Sequence, residues 1–168
     1  MSTKLLTTRG REVMAGSMAA LPFVAALSAG EPAWDAAWDL PNPPEPSLDV
    51  LNVIDLVGYV RPTIVGFVTP DPDGLIVTDE GGTYSNSEER TRFLRVRISV
   101  PAGSFTGVRI REVGIFANVE YAPGVPSGRT VLLPGDVVSP GDLFQLVWSP
   151  PQFIDAGTSY ARNFILRV

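Results

Sequence analysis

Asp71, Asp73 and Gly74, with Asp79 and Glu80 close behind, form the first grouping in this chain whose spacing suggests chemistry. An Asp-x-Asp-Gly run opens a calcium loop, in which alternate oxygen ligands wrap a hard cation. The full loop needs another ligand at its fifth position and a bidentate acid at its twelfth. Counted from Asp71, those places hold Leu75 and Gly82, so the run reads as a solvated turn. Gly81-Gly82 lacks the Gly-Lys-Ser/Thr ending of a phosphate loop. Ser85, Ser87, Ser104 and Ser159 would each need a neighbouring base to become nucleophiles, but the chain has no histidine and Lys4 is its one lysine. The absence of cysteine removes disulfides, thiolate metal sites and thiol nucleophiles. A glycosidase-type pair of carboxylates stays formally open, although no pair stands out. The expectation is no catalytic residue, no cofactor, no metal and no enzyme. Arg95, Arg97, Arg109 and Arg111 read as the wet face of a hairpin crossed by acids, with a ligand-binding stripe as the alternative.

What positions these residues follows from size and punctuation. A chain of 168 residues is one domain with room for an extended arm, and it buries a sizeable core without staples. The net charge is −5, and the thirteen basic residues are scattered. Duplex nucleic acid requires a clustered basic face, so that partner is set aside. No stretch is long and apolar enough to span a bilayer. Sixteen prolines and sixteen glycines point to many turns and short strands.

Lys4, Arg9 and Arg11, an apolar run, and small residues from Ala25 to Gly30 together imitate a secretory signal. Glu12 next to the basic residues, Gly16 and Ser17 within the apolar run, and Pro22 inside it argue against that reading. Instead, Thr8 reads as an N-cap and Arg9 to Ala20 as a short helix, with Met14, Met18 and Leu21 on one stripe. Pro22 ends it. Phe23 to Ser28 follows as a strand. Trp34 and Trp38 stand four residues apart, a spacing that aligns them on one face of a helical turn. They suit either the edge of the core or an anchor for a partner protein. Pro41, Pro43, Pro44 and Pro46 make the next segment an extended, polyproline-like arm. These six residues are the candidate partner interface. The organisation expected is a helix, strand and tryptophan pair over 1–40, an arm over 41–47, and a β-sandwich over 48–168.

Thr91 to Phe116 is the clearest local pattern. Leu94, Val96, Ile98 and Val100 alternate with Arg95, Arg97 and Ser99, the period of a strand with one wet face. Pro101 to Gly107 suits a hairpin loop, which predicts an antiparallel hairpin. In the second half Val108 and Ile110 share a phase, while Val113 and Ile115 are out of step with them. A bulge near Arg111-Glu112 would restore the phase. Glu112 would then need an arginine or backbone N–H partners, because an unpaired buried carboxylate is costly. Further short strands are expected at Tyr59 to Val68, with Gly66 at a bulge, and at Leu75 to Thr78 and Thr130 to Leu133. Others are Val137-Val138, Leu143 to Trp148 (ended by Pro150-Pro151) and Tyr160 to Val168. The fold class is mainly β, a β-sandwich with one short N-terminal helix.

Several of these segments together resemble one family. Thr7-Thr8-Arg9-Gly10-Arg11 is similar to an opening Thr-x-x-Gly-Arg helix, and Phe23 to Gly30 to the strand that follows it. Phe67 to Ile76 is similar to a Phe-Val-x-Pro-Asp-x-Asp-Gly-x-Ile segment, and Thr83 to Ser85 to a Thr-Tyr-Ser. Ile110 to Phe116, Ile-Arg-Glu-Val-Gly-Ile-Phe, resembles an Ile-Arg-Glu-Ile-Gly-Leu-Phe signature. Together they resemble the small tail-fibre-attachment and tail-collar-type baseplate proteins of tailed bacteriophages. The resemblance covers most of Met1 to Ala122, and no motif after Pro123 is matched. It implies a non-enzymatic structural protein of the virion tail, a baseplate subunit or tail-fibre adaptor, made in the bacterial host cytoplasm. Its implied partners are other tail or baseplate subunits and further copies of itself, a trimer being one option. A head decoration or neck protein is the runner-up, and a carbohydrate-binding β-sandwich the reading from another class.

Overall fold

The computed structural model describes residues 5–79 and 81–168. Among them is one α-helix, α1 (Thr8–Ala19). The strands are β1 (Phe23–Ser28), β2 (Leu56–Val60), β3 (Ile64–Pro70), β4 (Ile76–Val77), β5 (Thr83–Asn86), β6 (Phe93–Val100), β7 (Val108–Ala117), β8 (Glu120–Tyr121), β9 (Val131–Leu132), β10 (Val137–Ser139), β11 (Asp142–Ile154) and β12 (Tyr160–Arg167). Short 3-10 turns cover Pro32–Ala36 and Pro134–Asp136. The chain is mainly β with one N-terminal helix, as its alternation and turn density predict. It divides into two compact units.

One unit takes the residues up to Leu21, then Thr63–Ile98 and Arg162–Val168. Its helix is capped by Thr7, whose Oγ1 accepts a hydrogen bond from Gly10 N at 3.1 Å, so the cap is Thr7 and not Thr8. The helix buries Ala15; of the stripe, Met14 is 47% exposed while Met18 and Leu21 are half-buried. A Cβ on Gly16 would lie 3.1 Å from Arg90 Nε, so the helix approaches its neighbour through Ala15 and Gly16.

The sheet of this unit runs β12-β6-β3-β5-β4. β3 and β6 pair antiparallel through Val65↔Val96 and Phe67↔Leu94, and Gly66 sits opposite Arg95 in unbroken register, with no bulge. Val68, Ile76, Tyr84 and Ile165 form its core, with Phe93 packed against them. Tyr84 is the one buried residue of β5 and carries that strand's contribution to the core. Arg95 is buried and not on a wet face: its Nε donates to Asn163 Oδ1 at 2.9 Å.

The other unit takes Pro22–Pro62 and Ser99–Ala161. Its five-stranded sheet has the order β11-β7-β1-β2-β9, and β10 pairs with β8. Every residue of β1 is buried between β7 and β2. The apolar run that imitates a signal core is thus a central strand covered on both faces, which explains its lack of alternation. Val24, Ala26, Tyr59, Phe116, Val119 and Leu132 form the core here.

Thr91 to Phe116 is not a hairpin. β6 pairs with β3, whereas β7 pairs with β1 and β11, so the two strands belong to different sheets. The connector turns through positive φ at Gly103 (85°), Phe105 (53°) and Gly107 (80°) and does not set a hairpin register. Nor does β7 carry the bulge. Its register with β1 is continuous from Phe23↔Ala117 to Ser28↔Glu112. The slip falls on β11, where Trp148↔Glu112 is followed by Gln152↔Ile110. Ser149-Pro150-Pro151 is the bulge, and the strand continues past it. Proline is tolerated there because β11 is an edge strand.

Candidate interface site

β1 and β2 are antiparallel neighbours, yet residues 29–55 separate them. Hairpin loops usually have about 2–5 residues, and connections beyond about 12–15 tend to carry function. This excursion leaves and rejoins the sheet at one place. Ala29 N donates to Asp55 O at 3.0 Å and Gly30 N to Ile54 O at 3.3 Å. The buried Ser28 hydroxyl donates to Ile54 O and accepts from Gly30 N. Gly30 has φ +58°, and a Cβ on it would lie 2.6 Å from the Trp34 ring, so the first turn of the excursion requires glycine.

Two consecutive residues of β7 then fix the two ends. Arg111 holds the outgoing end: its Nε and Nη2 donate to the two oxygens of Asp35 at 2.6 and 2.8 Å, and Nη1 donates to Ala29 O at 2.9 Å. This guanidinium is buried and bidentate, the geometry in which an arginine–carboxylate pair is strongest. Arg111 therefore joins Arg95 as an exception to the wet-face reading. Glu112 holds the returning end. It is fully buried, its Oε2 accepting from Ile54 N at 2.6 Å and its Oε1 from Trp148 Nε1 at 2.7 Å. The expected backbone N–H partner is present; the second donor is an indole and not an arginine. Trp34 stacks on that same Trp148, ring centroids 4.1 Å apart and planes at 27°. Gly114 completes the set, since a Cβ there would lie 2.8 Å from Val53 Cγ1.

The middle of the excursion is presented outward. Leu40, Leu48 and Leu51 are 56%, 102% and 83% exposed. Pro41, Pro43 and Pro46 are exposed and Pro44 is half-buried. Trp38 is half-buried, and its indole N–H is shielded without an acceptor among the described residues. A groove separates Pro46–Val50 from Leu143–Leu146 of β11. Of the six candidate interface residues, the structure sets Trp34 at the root and the four prolines in the outward segment.

The Ile-Arg-Glu-Val-Gly-Ile-Phe stretch is thus a clamp on one long surface segment. A family model described as "Baseplate wedge 3 tail fiber network component" matches residues 4–168. The chain belongs to this family. No curated protein matches it. The phage tail and baseplate resemblance read from the short motifs is borne out, and the family is one of structural components of the phage baseplate and tail-fibre network. Membership also extends past Pro123, where the motifs ran out.

In this baseplate-family chain the calcium-like run is a turn with its acid already engaged. Asp71 Oδ2 accepts from the Ser85 hydroxyl at 2.6 Å and Oδ1 from Asp73 N at 3.0 Å. Those bonds, the hydroxyl first, hold the Asp71 carboxyl below the ordinary carboxylate range. No helix among the described residues is long and apolar enough to cross a membrane.

The Arg111 hydrogen bond also holds the Asp35 carboxyl below its ordinary value, with the charges of Arg111 and Arg109 adding to it. A depressed folded-state pKa contributes stability that is complete above the unfolded value and lost as pH falls through the folded one. Wild-type chain should therefore lose stability between about pH 5 and pH 2 more steeply than Asp35→Asn, which cannot titrate there. Asp71 and Asp155, also depressed, titrate in both proteins and cancel in the comparison. Thermal melts across that range measure the difference; parallel curves would show that the Arg111 pair contributes nothing.

Proposed function

We propose that this chain is a non-enzymatic adaptor of the virion tail, joining baseplate and fibre subunits through residues 36–53. The observation that supports this reading is the excursion itself. Two adjacent residues, Arg111 and Glu112, clamp its ends to Asp35 and Ile54, while three leucines and three prolines between them face outward. An enzyme concentrates polar groups in a cleft; an assembly part fixes the base of an arm and leaves apolar residues for a neighbour. Trp34 and Trp38 serve as the base of the arm, and Pro41, Pro43, Pro44 and Pro46 stiffen it at low entropic cost. Its partners are other tail or baseplate subunits, and copies of the chain associate with one another.

Leu48 and Leu51 provide the test, because both are almost wholly exposed. The double variant Leu48→Asp, Leu51→Asp should melt within about 0.5 kcal/mol of wild type. In phage carrying the variant in place of the native gene product, its incorporation into purified particles should fall at least tenfold. Normal incorporation would remove the arm from the interface, and turnover of a glycan or ester by the purified chain would remove the non-enzymatic reading.

A further inference from the structure

Arg11, Arg92, Arg167, Tyr84, Phe93 and Pro70 line a pocket of about 400 Å³ in the unit that contains α1. The Tyr84 and Phe93 rings lie 6.0 Å apart at 57°; Tyr84 belongs to the core and half-buried Phe93 supplies the accessible aromatic surface. The rim of the pocket is cationic. The Arg92 guanidinium sits 5.0 Å over the Phe93 ring, and Arg167 Nη2 donates to the Tyr84 hydroxyl at 3.1 Å. A backbone bond from Val168 N to Arg92 O, 3.1 Å, fixes where Arg92 enters the pocket. No acidic side chain is among the described residues that line it. Val168 also lines the pocket, and Arg11 and Arg92 are the two guanidinium groups there with no ion pair among the described residues, in a chain of net charge −5.

The opposite composition occurs in the arm. No basic residue stands between Arg11 and Arg61, while Asp39, Glu45 and Asp49 are all exposed. None of the three forms an ion pair among the described residues. Glu45 sits within Pro43-Pro44-Glu45-Pro46, a stiff extended segment that offers one carboxylate flanked by proline rings. Aromatic-lined grooves recognise such segments because their conformation is already formed. Guanidinium groups bind carboxylates with directional, charge-assisted bonds.

Building on the adaptor reading, we propose that Pro43-Pro44-Glu45-Pro46 of one copy docks in the Arg11–Arg92 pocket of a second copy. Prolines lie against Phe93, and the Glu45 carboxylate meets the arginines. The arm and the pocket are different surfaces, so copies associate by reciprocal exchange of arms within a pair or head to tail along a ring or filament.

The test uses the full-length chain, in low salt, where screening is weakest. A synthetic peptide of residues 38–49 should bind saturably. Arg92→Glu in the chain should weaken binding about tenfold, and a peptide carrying Glu45→Arg should recover it on that variant. Sedimentation of the intact chain should show concentration-dependent association, reduced by Glu45→Arg alone and by Arg92→Glu alone. Mixing the two variants restores it, because one pair of native surfaces is regenerated between chains. Arg11→Glu repeats the measurement should Arg92→Glu alter the melting temperature. Absent peptide binding, binding indifferent to both arginine variants, or no recovery on mixing overturns the proposal. If the wild-type chain is found in purified particles while the peptide fails to bind, the pocket assignment falls and the adaptor reading stands; its absence from particles refutes the adaptor reading itself.

Discussion

Glu112→Ala is expected to destabilise the unit containing β7 by about 3–5 kcal/mol, the largest effect of any single carboxylate substitution in this chain. The carboxylate is fully buried and serves two donors, the Ile54 amide and the Trp148 indole. Alanine leaves both without an acceptor, and each unsatisfied buried donor costs about 1–3 kcal/mol. It also leaves a void in a strand that is covered on both faces. Glu112→Gln should lie between, because an amide retains one acceptor oxygen but turns N–H groups toward the second donor. Denaturant unfolding measures the cost. Limited proteolysis should show new cleavage within residues 36–53, since Ile54 loses its tether to β7. Glu120→Ala, an exposed acid nearby, should stay within about 0.5 kcal/mol of wild type. A Glu112→Ala loss below about 1 kcal/mol would mean that solvent replaces the carboxylate and that the clamp is not structural.

The elements were legible in the sequence far more than their neighbours were. Phe23–Ser28 was readable as a strand because proline and glycine bracket a short apolar run, and Tyr160–Arg167 because turn residues precede an apolar run that ends the chain. The need of Glu112 for partners was readable from its phase among apolar residues. Period-two alternation describes the two faces of a strand but not which strand lies alongside. That is why β6 and β7, adjacent in sequence and each plausible as a hairpin arm, enter different sheets. The bulge lies on β11 and not on β7 for a related reason: β7 is buried on both faces, so its mixed phase needs no correction, and Pro150-Pro151 of β11 absorbs the irregularity. Arg95 and Arg111 looked solvated because the acceptors that allow their burial, Asn163 and Asp35, stand 68 and 76 residues away. The four-residue spacing of the tryptophan pair implied a helical geometry that the chain does not adopt. Its 3-10 turn ends at Ala36, so Trp34 and Trp38 do not share a helical face, and the partner of Trp34 is Trp148.

Gly114→Val tests whether the baseplate-family motif is a clamp in all its parts. Gly114 lies opposite Ala26 of β1 and Leu146 of β11, so its backbone is held on both sides and has little freedom to move away. A Cβ there would lie 2.8 Å from both Val53 Cγ1 and the Phe116 ring, and 3.1 Å from Leu143 Cδ1. Phe116 is itself core, so Val53, half-buried and next to Ile54, is the group with room to give. Valine adds two further methyl groups to that crowding. Overpacking of this kind costs about 1–3 kcal/mol, and the value expected here is at the upper end. Gly66→Val is the matched control: it also lies in a strand, yet nothing approaches within 4 Å of its Cβ position. That substitution should be neutral or stabilise by up to about 1 kcal/mol, through lower entropy of the unfolded chain and better strand propensity. The informative readout is the excursion. With Val53 displaced, the Ile54 amide no longer meets Glu112, so Gly114→Val should open residues 36–53 to protease as Glu112→Ala does, and the double variant should cost less than the sum of the two. Full additivity would mean that Gly114 and Glu112 act separately, one in the core and the other at the root of the arm.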